Sequence, residues 1–196
     1  MTFIIGLTGS IGMGKSTTAK VFAEEGCAVW DADAAVHRLY SKGGDAVVPM
    51  GQEFPDAIID GEVRREKLKS IIADDATALR RIEQIVHPLV ASDRASFLSE
   101  NKDQIIVLDI PLLFETGADK RMDAVVVVSV GPDEQRRRVM ERGTMSSEQF
   151  EAILAKQVPD AVKREKADYV IITDTPEHAR EQVCAVLAEI RDKTHA

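Results

Sequence analysis

The chain contains little cysteine and no long apolar run. Cys27 and Cys184 are its only two cysteines and lack the spacing of metal ligands, which favours a reduced protein over a disulfide-bonded one. No apolar stretch approaches the ~20 residues of a membrane-spanning helix. The apolar start of the chain also lacks the basic segment of a signal peptide. We therefore expect a cytoplasmic protein with no membrane partner.

Positive charge is also in deficit. The chain of 196 residues carries 25 lysines and arginines against 33 acidic residues, a net charge of −8. This balance disfavours a protein that coats nucleic acid, but a local basic cluster can still bind an anionic small molecule. Arg136, Arg137, Arg138 and Arg142 form such a cluster. With 44% hydrophobic residues the chain can bury a core, and its length suits one domain with an insertion. A monomer is favoured.

The most informative segment is Gly9–Ser16, GSIGMGKS, which matches G-x-x-x-x-G-K-[ST]. The apolar run Phe3–Leu7 before it predicts a strand, and Ser16–Glu25 after it predicts a helix. In that setting the loop amides would bind phosphate oxygens. Lys15 would reach the β- and γ-phosphates, and the Ser16 hydroxyl would hold Mg²⁺. The predicted phosphate-binding residues are Gly9, Ser10, Ile11, Gly12, Met13, Gly14, Lys15 and Ser16.

Short apolar runs separated by helical patterns predict a parallel α/β sheet flanked by helices. The five predicted strands are Phe3–Leu7, Cys27–Trp30, Ile105–Leu108, Ala124–Val130 and Tyr169–Ile172. Two long excursions interrupt a core at about residues 1–33, 103–134 and 167–196. The first, about 34–102, is expected to be a mostly helical insertion that caps the carboxyl edge of the sheet. Its helical pattern is expected to break at Pro88.

The second excursion, about residues 135–166, is basic and helical, as a closing lid should be. Ser146 and Gln149 form a predicted capping box inside it. The last helix is expected to be capped by Thr175.

Several polar residues follow the predicted strands, where ligands bind in α/β sheets. Asp31 and Asp33 follow the second strand, and either could accept a proton or cap the next helix; from the residues alone both roles stay open. Asp109 ends the third strand as a metal-supporting acid would.

Arg138 and Arg142 lie four residues apart. They could grip phosphate from one helix face, or form a solvated face paired with Glu134 and Glu141. His87 precedes Pro88 and could be catalytic, although a lone histidine at a helix end is more often structural.

Together these motifs resemble the dephospho-CoA kinase family, whose members phosphorylate the ribose 3′-hydroxyl of dephospho-CoA with ATP. The matching pieces are Gly6–Gly9, Gly12–Thr17, Asp31–Asp33, Asp60-Gly61 with Arg65 and Leu68, His87-Pro88, Pro111–Glu115, Gln135 with Arg138 and Arg142, Gln157, and Ala167–Ile171. The resemblance implies a P-loop kinase fold with a parallel five-stranded sheet, a helical substrate-binding insertion and a lid. It also implies one kinase domain over residues 1–196.

The resemblance also implies roles for single residues. Catalysis would involve Asp33, Lys15 and Arg142. ATP would bind the loop residues Gly9–Thr17, together with Arg138 and Arg142. Dephospho-CoA would bind Asp33, Arg65 and His87, and the metal would be held by Ser16 and Asp109. Two alternatives stay open, another small-molecule kinase on the same scaffold and a GTPase-like switch, although the chain has no Asn-Lys-x-Asp guanine signature.

Overall fold

The computed structural model describes residues 2–195, so residues 1 and 196 of the predicted core lie outside the described residues. The strands are β1 (Phe3–Thr8), β2 (Ala28–Asp31), β3 (Ile58–Ile59), β4 (Glu62–Val63), β5 (Ile105–Asp109), β6 (Ala124–Ser129) and β7 (Tyr169–Ile172). The helices are α1 (Lys15–Glu24), α2 (Ala32–Tyr40), α3 (Val47–Glu53), α4 (Arg65–Asp74), α5 (Ala78–Glu100), α6 (Pro132–Glu141), α7 (Ser147–Leu154), α8 (Asp160–Lys166) and α9 (Pro176–His195). Short 3₁₀ turns span Pro55–Ala57 and Ala118–Arg121.

Five strands form one sheet in the order β2-β5-β1-β6-β7, with β1 at its centre. β1 pairs in parallel with β5 and β6, and β6 pairs in parallel with β7. All six residues of β6 are buried, as expected for a strand covered on both faces. The predicted α/β architecture is confirmed, and each of the five predicted strands is found with its ends shifted by no more than one residue.

The chain divides into two compact units. The sheet unit runs up to Trp30 and continues from Asn101 onward, and the helical unit is Asp31–Glu100. The core of the sheet unit packs α1 and α9 against the sheet through buried side chains such as Phe22, Val183 and Leu187.

The helical unit has its own apolar core, in which Met50 and Ala57 are fully buried. Its β3–β4 hairpin turns through Asp60 and Gly61, both in the left-handed region at φ 55° and 79°. The expected break at Pro88 is wrong, because α5 continues from Ala78 to Glu100. Pro88 removes one N–H donor from the helix, but Ile82 and Val86 before it and the partly buried Leu89 and Val90 after it pack into the same apolar core.

The region between β6 and β7 contains α6, α7 and α8. The predicted capping box is confirmed: the Ser146 hydroxyl accepts from the Gln149 amide, and the Gln149 side chain accepts from the Ser146 amide. The Thr175 hydroxyl accepts a 3.1 Å bond from the His178 amide, which confirms the predicted cap of α9. Over residues 2–195, no helix combines the length and apolar character needed to cross a membrane.

Candidate active site

The glycine-rich loop connects the central strand β1 to α1. Gly12 and Gly14 adopt left-handed conformations at φ 80° and 88°, which side chains with a Cβ rarely adopt. A Cβ on Gly12 would also lie 2.6 Å from Val139, and one on Gly14 would lie 3.0 Å from Thr173. Gly14 is the residue before α1 and offers no side-chain cap, so the first amides of the helix keep no intrahelical partner. A loop of this shape can bind an anion through its backbone.

Side chains from the later part of the chain fix the backbone of this loop. The Gln135 side chain donates to the Ile11 carbonyl at 2.7 Å, and the Gln157 side chain accepts from the Ile11 amide at 3.3 Å. The Thr173 hydroxyl donates to the Met13 carbonyl at 2.7 Å. The resemblance includes Gln135 and Gln157 but gives them no role, and the sequence does not show that these partners reach the loop, because 124 or more residues separate each from it.

Two predicted site residues meet at the end of the loop. The Lys15 ammonium contacts the Asp109 carboxylate, and the Lys15 side chain remains 16% exposed while that of Asp109 is 2% exposed. Ser16 lies exposed in the first turn of α1. The structure thus brings together a partly exposed cation, a buried carboxylate and a hydroxyl beside the phosphate loop.

This donor set fits a divalent metal held largely by a nucleotide. Residues 2–195 contain no group of three or more His, Cys, Asp or Glu side chains that could cage an ion by themselves. Ser16 and Asp109 offer one hydroxyl and one carboxylate, hard oxygen ligands of the kind Mg²⁺ uses when phosphates and water supply the rest. Nucleotide-dependent phosphoryl transfer uses a divalent metal to neutralise the charge of the β- and γ-phosphates.

The two candidate arginines have different surroundings. Arg138, on α6, pairs with Glu134 at 2.7 Å, as the solvated-face alternative predicts, and also donates to the hydroxyl and carbonyl of Thr173. Arg137 and then Arg138 donate to the Glu134 carboxylate and lower its pKa to about 2. Arg142 follows the end of α6, is exposed and forms no ion pair with the described carboxylates. The structure therefore leaves Arg142 available and engages Arg138.

The helical unit carries the remaining candidates. Asp31 caps α2, because its carboxylate accepts from the Ala34 amide at 3.0 Å, whereas Asp33 is exposed in the first turn. The capping alternative therefore applies to Asp31 and leaves the Asp33 carboxylate at the surface.

Arg65 begins α4, and its guanidinium lies 5.9 Å from the centre of the Tyr40 ring. It lines a groove of about 210 Å³ together with Tyr40, His37 and Arg64. His87 is exposed on α5 and is not among the residues that line this groove. The structure does not bring Arg65 and His87 together at this groove.

A parallel sheet with this loop after its central strand, with Lys15 and Ser16 at the end of the loop and Asp109 facing it, defines a P-loop protein of the nucleotide-binding class. The family model for dephospho-CoA kinase matches residues 3–178, and the chain belongs to that family. A Ruegeria pomeroyi protein named dephospho-CoA kinase is 62% identical over 191 residues, 97% of each chain.

Solved structures show the same fold. The crystal structure of TT1252 from Thermus thermophilus aligns with a TM-score of 0.84 at 34% identity, over 96% of this chain and 97% of that one. Dephospho-CoA kinase from Campylobacter jejuni aligns with a TM-score of 0.72 at 24% identity, over 99% and 100% of the two chains. The predicted P-loop kinase fold is confirmed.

Proposed function

We propose that the protein transfers the terminal phosphoryl group of ATP to the ribose 3′-hydroxyl of dephospho-CoA and releases CoA and ADP, the last step of CoA biosynthesis. The observation that carries this proposal is the phosphate loop, with Lys15 against Asp109, in a chain whose family match extends over residues 3–178. The whole chain acts as one kinase domain, with a core, a substrate-binding insertion at about 34–102 and a lid at about 135–166.

ATP binds with its phosphates in the loop Gly9–Thr17. The amides of the loop and of the first turn of α1 donate to the phosphate oxygens, and the Lys15 ammonium moves from Asp109 to the β- and γ-phosphates. Ser16 and Asp109 hold Mg²⁺, which neutralises phosphate charge when bound. The 16% exposure of the Lys15 side chain supports this exchange of partners.

Asp33 receives the proton of the 3′-hydroxyl. As the hydroxyl oxygen forms its bond to the γ-phosphorus, the bond from that phosphorus to the β–γ bridging oxygen breaks and ADP leaves. The reaction asks little of the base, because the transition state is loose and proton transfer comes late. The free Asp33 carboxylate, beside an Asp31 already used as a cap, supports this division of roles.

Dephospho-CoA binds the helical unit through Arg65 and His87. An arginine that lies over an aromatic ring and has no described carboxylate partner can bind a phosphate oxygen or stack on a base. His37 adds a ring nitrogen to the same groove, which Glu62 and Glu66 also line, with Arg64 paired to Glu62 at 3.4 Å. The groove thus suits the nucleotide end of this acceptor.

The segment α6–α8 serves as the lid. Arg142 stabilises the transferring phosphoryl group, and Arg138 acts beside it at the ATP site. Closure excludes water and so suppresses hydrolysis of ATP. We place the enzyme in the cytoplasm, as a monomer with no nucleic-acid or membrane partner.

A coupled ADP-release assay with dephospho-CoA, AMP, adenosine and shikimate as acceptors tests the proposal. We expect ADP release with dephospho-CoA alone and a product whose mass equals that of CoA. Release with shikimate or AMP would identify a different small-molecule kinase, and binding of nucleotide without acceptor-dependent turnover would identify a switch.

The role of Asp33 can be separated from that of its neighbour. We expect Asp33→Asn to lower kcat by about 10²- to 10⁴-fold, the range for loss of a general base, with little change in ATP affinity. Asp31→Asn is the control, because asparagine caps helices as well as aspartate does. If Asp31→Asn loses turnover and Asp33→Asn keeps it, the assignment is reversed.

A further inference from the structure

The hydroxyl of Thr173 joins the phosphate loop to an arginine of α6. Thr173 directly follows β7 and is 7% exposed. Its Oγ1 donates to the Met13 carbonyl at 2.7 Å and accepts from Arg138 Nη1 at 3.1 Å. Because the Ser129 carbonyl lies farther away, at 3.5 Å, the hydroxyl donates its single proton to the loop and offers a lone pair to the arginine.

The bond to Met13 determines where the next amide points. A trans peptide is planar, so the carbonyl of one residue and the N–H of the next point in opposite directions. With the Met13 carbonyl held by Thr173, the Gly14 N–H points away from Thr173, toward the side of the loop that is free to receive an anion. Met13 lies between the two left-handed glycines, where the backbone has the most freedom to turn.

The hydrogen bonds between Thr173 and Arg138 fix the position of the arginine. The carbonyl of Thr173 also accepts from Arg138 Nη2, and Glu134 holds the Nε edge of the guanidinium at 2.7 Å. Glu134 thus binds the Nε side of the Arg138 guanidinium, and Thr173 binds its Nη side. Thr173 is also the residue that holds the loop. Thr173 therefore contacts both the Met13–Gly14 peptide and the arginine, so a displacement of either one disturbs a hydrogen bond of the same residue.

We propose that Thr173 is a positioning residue that aligns the Gly14 amide for nucleotide phosphate and couples this amide to Arg138. The inference rests on the proposed function only in treating the loop as an ATP site. Serine can replace threonine here, because it also donates and accepts at one oxygen. Valine cannot, although it has nearly the same shape.

The test compares Thr173→Val with Thr173→Ser by titration calorimetry against ATP, ADP, adenosine and dephospho-CoA. We expect Thr173→Val to weaken ATP and ADP by about tenfold, the usual worth of a hydrogen bond that serves a charged ligand. Adenosine and dephospho-CoA should bind as they do to the wild type. Thr173→Ser should restore ATP and ADP affinity to within about twofold. Thr77→Val is the matched control, since it removes a hydroxyl that donates to Asp75 in the helical unit.

Several results would overturn the proposal. Wild-type ATP affinity in Thr173→Val would do so, as would equal losses in Thr173→Val and Thr173→Ser at unchanged Tm. An equal loss of adenosine or dephospho-CoA binding would indicate a general structural defect instead. Because nucleotide binding needs no acceptor, these outcomes remain readable even if dephospho-CoA is not the acceptor.

Discussion

Two lysine–carboxylate pairs lie near the end of β5 and the turn that follows it, and they differ in the exposure of the lysine. Lys15 contacts Asp109 with 16% of its side chain exposed, whereas the Lys163 side chain is fully buried and its Nζ lies 2.9 Å from Glu115 Oε1. Glu115 also accepts from the Val158 amide at 2.9 Å, so this pair ties the turn after β5 to the loop before α8.

The comparison shows how one pair of residue types serves two purposes. A buried pair offsets the cost of desolvation only while both charges stay together. Lys163 is enclosed and cannot leave Glu115 for a ligand. Lys15 begins α1, next to loop amides that attract anions, and a phosphate can replace Asp109 as its partner. Exposure at the site, more than the pairing itself, distinguishes the ligand-binding lysine from the structural one.

The largest expected effect is on activity, at Lys15. Lys15→Met removes the cation that binds the β- and γ-phosphates, and we expect kcat to fall by about 10³-fold, comparable to loss of a strong electrostatic donor. Steady-state ADP release measures this, with Lys163→Met as the contrasting variant. A fall in kcat of less than tenfold in Lys15→Met would contradict the assignment of Lys15 as the phosphate-binding lysine.

The next effect is on stability, at Lys163. Lys163→Met leaves the partly buried Glu115 carboxylate, whose side chain is 16% exposed, without its cation, and we expect the free energy of unfolding to fall by about 3 kcal/mol in urea titrations at neutral pH. The double variant Lys163→Met with Glu115→Leu should recover most of this loss, because no unpaired charge remains. A Lys163→Met protein as stable as the wild type would show that the pair contributes nothing.

The smallest effect is on pH dependence. Burial alone would raise the pKa of Glu115, but hydrogen bonds from Lys163 and the Val158 amide outweigh it and lower that pKa. A carboxyl with a lowered pKa in the folded state stabilises the fold above its unfolded pKa, and this contribution is lost as pH falls through the folded pKa.

The free energy of unfolding should therefore decline more steeply in the wild type than in Glu115→Gln between about pH 5 and pH 3. Urea titrations across that range measure the difference. Equal slopes in the two proteins would show that Glu115 does not titrate in this way.

The sequence predicts the sheet well because its strands are short apolar runs between helical patterns. It predicts the phosphate loop because the motif specifies Gly14, one of the two loop glycines with positive φ, whereas Gly12 stands at a position that the motif leaves open. The break expected at Pro88 fails because local propensity says nothing about the core residues that hold both halves of α5.

The rest of the site depends on contacts between distant parts of the chain. The motifs predict Lys15 and Asp109 as separate candidates, but only the fold shows that they touch. Likewise, the spacing of Arg138 and Arg142 predicts a shared helix face, whereas Arg138 alone bonds Thr173. The capping bond from the Ala34 amide separates Asp31 from Asp33, which the residue pattern leaves equivalent.

The loop that would receive ATP lies near the start of the chain, yet Thr173, which holds its Met13 carbonyl, stands 160 positions later. During synthesis on the ribosome, a nascent chain lacks this bond until β7 and Thr173 have been synthesised and have folded. Strand β1 likewise lacks its two neighbours in the sheet until β5 and β6 have been synthesised. Full nucleotide affinity is therefore expected late in translation, and ATP should stabilise most strongly the chains whose carboxyl-terminal third has already folded.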